Sequence, residues 1–199
     1  MLPVPTPDYV RRRLAEFDAS PRYYGAERTL QLAFGQWPRN DDYDHVLIKV
    51  ILLNRLYSTN IFDVFTVAQH IVNQRIDDRL AAHDQSVVTA IAKVPFRARA
   101  RTLLSFATKY CSWHRPDGFQ IYDAYVDWLL WQSQREHRFA TFKRWELREY
   151  PRFVQIVDAY RHHFGLGNTF TRKQIDKFLW IEGVTQWAAT QTAYPSDQG

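Results

Sequence analysis

Three stretches of this 199-residue chain carry side chains that could do chemistry. Asp123 stands in Ile121-Tyr122-Asp123-Ala-Tyr125-Val, where a helix is predicted to begin. A carboxylate at a helix N-cap accepts backbone N–H bonds and faces the positive end of the helix dipole. Such a fixed anion can stabilise a nearby cation, or can serve as a cap and nothing more. The second stretch runs from Asn54 to Asn60 and gathers Asn54, Arg55, Tyr57, Ser58, Thr59 and Asn60 at the end of an apolar helix. Hydrogen-bonding side chains with an aromatic among them suit insertion into a nucleic-acid groove; an ordinary polar turn has the same composition. The third is Arg97-Ala-Arg99-Ala-Arg101 at the head of a predicted helix, where free N–H groups and guanidinium groups together would hold one or two phosphates. A solvated basic face is the alternative.

The elements that must position these groups are helices. Thr6-Pro7 gives an N-cap and first-turn proline for a helix to about Asp18, and a second is predicted over Tyr24 to Phe34, ended by Gly35 and Pro38. From Asp42 to Leu56 the segment is apolar on nearly every side, broken chiefly by Lys49, which predicts a buried central helix. Asn60 with Asp63 resembles a capping box opening a helix through Arg75. A helix over Gln85 to Ala92 precedes Val94-Pro95. Arg97 to Trp113 then carries a strong amphipathic pattern, with Ala100, Leu103, Leu104, Ala107 and Cys111 on one stripe and Phe106, Tyr110 and Trp113 beside it. On that reading Arg97 and Arg101 share a face one turn apart. Helices are further predicted from Asp123, over Leu147 to Phe164 and over Thr171 to Thr185, with a loose C-terminal tail. The fold class is therefore all-α: one helical domain over 1–199, with two lobes and a cleft between them.

Composition narrows the functional classes. The 13 Phe, 11 Tyr and 7 Trp against 7 Gly fill a core and can line base-stacking pockets. The start Met1-Leu-Pro-Val-Pro-Thr-Pro lacks the basic and apolar stretches of a signal peptide. No apolar run approaches a membrane span, so a soluble cytoplasmic monomer with no membrane partner is expected. The single cysteine, Cys111, excludes an internal disulfide and a cysteine-based zinc cluster. Of the seven histidines, His114, His137, His162 and His163 are the candidates and fall in no metal-ligand spacing, and neither a metal nor an organic cofactor is expected. Phosphate-binding glycine loops and nucleophile elbows are absent, which counts against nucleotide-dependent and serine-hydrolase chemistry. A formal charge of +5 and a pI near 9.4 favour a nucleic-acid partner.

Taken together and in this order, two stretches resemble the helix-hairpin-helix superfamily of DNA glycosylases. Leu53-Asn-Arg-Leu-Tyr-Ser58-Thr59-Asn60-Ile61 resembles the polar loop that wedges into the duplex in that family. Ile121-Tyr122-Asp123 resembles its apolar-x-Asp, whose aspartate is catalytic. The resemblance covers roughly residues 42–130. It implies a two-lobed helical fold with a degenerate hairpin, because Val94-Pro95-Phe96-Arg97 stands where the family has L-P-G-x-G, and it leaves the arginines to hold phosphate. No lysine heads the helix before Asp123, Lys109 lying deep within it, which implies a monofunctional hydrolase without lyase activity. Ser105 to His114 followed by Ile-Tyr-Asp is further similar to small bacterial members associated with phage defence, which remove glucosylated hydroxymethylcytosine. The resemblance implies base flipping and hydrolysis of an N-glycosidic bond in double-stranded, modified phage DNA, leaving an abasic site. Asp123 would be catalytic, and Lys109, His114, Tyr122 and Tyr125 are pocket candidates by proximity in sequence. The rival readings are a non-catalytic DNA-binding protein, an RNA-directed toxin or nuclease, and a plain helical interaction protein.

Overall fold

Local caps start several of the helices. The computed structural model describes residues 1–96 and 101–193, in which helices α1 (Pro7–Asp18), α2 (Pro21–Gln36), α3 (Tyr43–Tyr57), α4 (Val64–Gln74), α5 (Asp77–Ala81) and α6 (Ser86–Ala92) are followed by two-residue strands β1 (Lys93–Val94) and β2 (Arg101–Thr102). Helices α7 (Leu104–His114), α8 (Ala124–His137), a 3₁₀ turn (Arg144–Arg148), α9 (Tyr150–His163) and α10 (Arg172–Ala193) complete the order. The all-α class holds. Thr6 accepts the Tyr9 N–H, Asp42 that of His45, and Asp63 that of Thr66. Each satisfies one of the donors that a helix start leaves open. Asp63 also accepts from the Thr66 hydroxyl at 2.6 Å, so α4 is capped by Asp63 alone, and the expected Asn60–Asp63 capping box does not form. Asn60 instead takes a left-handed backbone, φ 55°.

The chain divides into two units. One combines Met1–Ala19 with the described residues from Asp123 onward; the other is Ser20–Tyr122. In the first, α10 packs on α1 and α8, burying Val10 and Leu14 of α1, Val126, Leu129 and Leu130 of α8, and Ile175, Phe178 and Leu179 of α10. Gly183 lets α10 approach the start of α8, since a Cβ there would lie 2.7 Å from the Tyr125 carbonyl oxygen. The Arg13–Glu182 pair (2.9 Å) and the Arg144–Asp127 pair (2.9 Å) tie elements of this unit together. In the second unit α3 packs on α2, α4 and α7, and α6 packs on α7. Val46, Val50 and Leu53 of α3 are buried, whereas Ile48, Ile51 and Leu56 are exposed. The expected all-round burial of α3 is thus replaced by a one-sided core.

The predicted helix from Arg97 to Trp113 is shortened at its head. α7 begins at Leu104, and Lys93–Val94 pairs antiparallel with Arg101–Thr102. The Leu103 N–H continues that ladder to the Ala92 carbonyl at 2.8 Å. Pro95 holds the residue before it extended, and at Arg101 and Thr102 the backbone pairing takes the place of the expected helix. Arg101 consequently lies on a strand and not on the expected helix face. Arg97 and Arg99 lie outside the described residues. No described helix is long and apolar enough to cross a membrane.

Candidate functional site

Asp123 stands where the sequence put it. It is the N-cap of α8 with an extended backbone, and its Oδ1 accepts the Tyr125 N–H at 3.0 Å. The residue before it is pinned as well: the Tyr122 N–H donates to Thr108 Oγ1 at 3.1 Å, and the Thr108 hydroxyl faces the Tyr122 carbonyl at 3.3 Å. Tyr125 is exposed, its ring edge-on to Trp187 at 6.4 Å, and Trp187 stands edge-on to Trp128 at 5.6 Å. Aromatic surface therefore lies two residues beyond the Asp123 carboxylate in the same unit. Trp187, on the last helix, was missed from the sequence because nothing local links it to residue 123.

The Asn54–Asn60 stretch forms a strapped loop. Asn54 Oδ1 accepts the Ile61 N–H at 2.9 Å and the Thr59 hydroxyl at 3.0 Å, while Nδ2 donates to the Ile61 carbonyl at 2.9 Å. Ser58 and Asn60 are both left-handed, φ 51° and 55°, and Asn tolerates that region. Asn54 and Thr59 are thus internal struts. Arg55, Ser58 and Asn60 are exposed, and the Tyr57 ring lies under the Lys109 ammonium, 5.5 Å from Nζ to the ring centre. Lys109 is buried on α7 and donates to Ser105 Oγ at 2.6 Å. Beyond the strut stands Phe62, 92% exposed, with Phe65 exposed one turn on. Both are bare aromatics next to a braced loop, and neither was singled out in the sequence.

The most organised polar cluster went unrecognised in the sequence. Asn40, between α2 and α3, is buried, and its Oδ1 is the focus of three donors: Lys49 Nζ at 2.8 Å, the Tyr110 hydroxyl at 2.5 Å and His114 Nε2 at 3.0 Å. Lys49 Nζ also donates to the carbonyls of Trp37 (2.9 Å) and Arg39 (2.8 Å). On its other side Asn40 grips Asp77: Nδ2 donates to Oδ1 at 2.6 Å and the backbone N–H to Oδ2 at 3.1 Å. Burial draws the Lys49 ammonium down to about 8, which still leaves it charged at neutral pH, and three acceptors replace its water. Burial, with the Lys49 charge next, holds the His114 imidazole well below its usual value, so the ring is neutral. Burial likewise pushes the Tyr110 hydroxyl up and keeps it a donor. His114, expected near a base pocket, is built into this cluster. The one sequence signal was Lys49 interrupting an apolar helix, since a buried ammonium must find acceptors.

A pH dependence follows. Unfolded His114 takes a proton near pH 6.5 and the folded ring does so only well below that, so its contribution to stability is fully present above pH 6.5 and falls as the pH drops. The slope reaches about 1.4 kcal/mol per pH unit. Urea midpoints at pH 7.5, 6.0 and 5.0 should decline more steeply in the native chain than in His114→Gln, which keeps a donor for Asn40 and does not titrate. Parallel curves would remove His114 as the acid-sensitive group.

The family match falls largely on the second unit. The HI_0787_N family model, described as an N-terminal domain, matches residues 9–118. It covers more than half of the chain, and the chain belongs to that family. An uncharacterized protein of Haemophilus influenzae is 35% identical over 139 residues, which make up 69% of this chain and 66% of the relative. The chain therefore spans just under two thirds of that relative's length. No solved structure matches. The matched stretch contains the Asn54 loop and the Asn40 cluster and ends before Asp123.

Proposed function

We propose that this chain is a DNA glycosylase that extrudes a modified base from duplex DNA and hydrolyses its N-glycosidic bond. Asp123 carries the reading: a carboxylate tethered by Oδ1 to the head of α8, beside the exposed ring of Tyr125. As the bond from C1′ to the base nitrogen lengthens, its electron pair leaves with the base and the sugar becomes oxocarbenium-like. A fixed anion stabilises that charge without reorganising. The same carboxylate orients water for attack on C1′ and takes its proton, giving an abasic site and free base. The absence of a lysine at the head of the preceding helix supports hydrolysis without lyase chemistry. Modified phage cytosine, including the glucosylated hydroxymethyl form, is the substrate class that the sequence resemblance favours, with antiviral defence in the cytoplasm as the setting. Incubation with canonical and hypermodified phage DNA, followed by chromatography of released bases and cleavage of abasic sites, tests it. No base release from any of these DNAs would overturn it.

In this reading Arg55, Asn60 and the arginines Arg97, Arg99 and Arg101 meet the phosphate backbone, and Phe62 enters the base stack vacated by the extruded nucleotide. Stacking of one base on an aromatic ring is worth about 1–3 kcal/mol. Phe62→Ala should therefore weaken duplex binding roughly tenfold in fluorescence anisotropy, with the thermal midpoint unchanged because the ring is already in solvent. Unaltered affinity would remove Phe62 from the interface. A non-catalytic DNA-binding module is the second reading, favoured by the family match ending before Asp123; it predicts duplex affinity with no base release.

A further inference from the structure

A cavity of about 690 Å³ opens in the Ser20–Tyr122 unit, lined among others by Asn40, Val72, Asn73, Arg75, Asp77 and Asp78. Its volume is that of small-molecule sites. None of its lining residues belongs to the unit that holds Asp123. Asn40 joins it to the buried cluster, so one wall is built in advance: both Asp77 oxygens are held by Asn40, and Asn40 is held by Lys49, Tyr110 and His114. Arg39, also on the wall, is neutralised by Asp41 at 2.5 Å. The Arg75 guanidinium and the Asp78 carboxylate are engaged by no hydrogen bond or ion pair among the described residues. Arg75 closes α4 with a left-handed backbone, φ 46°, a conformation that carries strain in a non-glycine residue. The cavity thus presents a braced carboxylate, an open carboxylate and an open guanidinium, with Val72 as apolar surface between polar groups.

We infer that this cavity binds the guanine base edge, in a free nucleotide or in an unpaired DNA residue. A carboxylate takes two adjacent N–H donors, and a guanidinium takes acceptors as a fork. Guanine alone among the common bases sets N1–H and N2–H₂ side by side, next to the O6 and N7 acceptors that arginine reads. Adenine and cytosine place a ring acceptor beside their single exocyclic amine, and thymine flanks one N–H with two carbonyls. Each of these would aim an acceptor at a carboxylate, and such a mismatch is a basis for rejection. Asp78 takes the paired donors, Arg75 the acceptors, and Asp77 fixes the depth to which the base enters.

The inference is independent of base excision, and its test is binding alone. Titration calorimetry of the full chain should show GMP binding at least about tenfold more tightly than AMP or CMP, the discrimination expected of one bidentate pair. Asp78→Asn turns one acceptor into a donor and should abolish that preference; Arg75→Gln should lower GMP affinity about tenfold. Asp123→Asn should leave GMP binding unchanged, which separates this site from the proposed hydrolase centre. Short DNA strands with one unpaired guanine or adenine distinguish the source: preference for the guanine strand with weak GMP binding assigns the site to DNA, and strong GMP binding assigns it to a free nucleotide. Equal affinity for GMP and AMP, no binding of either guanine probe, or a preference that survives Asp78→Asn would overturn it.

Discussion

Asp123→Asn is expected to reduce base release by about 10²-fold or more, the scale on which enzymes depend on one preorganised transition-state partner, while the chain keeps its fold and its affinity for DNA. The substitution isolates charge from structure. Asparagine is as good an N-cap as aspartate, so the Tyr125 N–H keeps an acceptor at the position Oδ1 now holds and α8 still begins at Ala124. What disappears is the negative charge facing the developing sugar cation and the base that takes a proton from water. Asp123→Ala removes the cap too, and should add about 1 kcal/mol of destabilisation. Single-turnover excision on hypermodified DNA, with binding measured in parallel, reads the two consequences separately. Excision that continues at the native rate in Asp123→Asn would reduce this residue to a helix cap.

Asn40→Leu is expected to cost about 3–5 kcal/mol of stability. The isobutyl group fits the space and offers no polar atom. Lys49 loses one of three acceptors, Tyr110 and His114 lose theirs, and Asp77 loses the side-chain donor to Oδ1 while keeping the backbone N–H of residue 40. Breaking a buried charged network by removing one member leaves the others desolvated without partners, which accounts for a cost of about this size. The test is non-additivity: Lys49→Met introduced into Asn40→Leu should cost much less than Lys49→Met alone, because the orphaned cation is removed with its lost acceptor. Equilibrium urea unfolding of the native chain, both single variants and the double variant closes the cycle. Fully additive losses would show that Lys49 and Asn40 are held independently.

The distinction between what could and could not be read in advance follows the range of the interactions. The start of α8 at Asp123 was legible because an N-cap is settled within two or three residues of itself. The same holds for Thr6 and Pro7 at α1. Asn54 to Asn60 was legible as a polar loop, but not which side chains face inward: Asn54 was expected at a DNA surface and is instead the strut that bonds to Ile61 seven residues away. Phe62 became a candidate only once its exposure was seen. Arg101 read as part of a helix start because its local propensity is helical, and the pairing of Val94 with Arg101 and of Lys93 with Thr102 decided otherwise.

The sequence by itself determined an all-helical, basic chain, the positions of most helix starts and the placing of Asp123 at one of them, because period, caps and charge are properties of neighbouring residues. Tertiary structure alone decided that Lys49, Tyr110 and His114 converge on Asn40, which lies 70 residues from Tyr110 and 74 from His114, and that Asp77 is braced at the edge of a cavity. No local pattern marks such partners. A buried charge or amide must find them, but which ones it finds depends on how the helices pack.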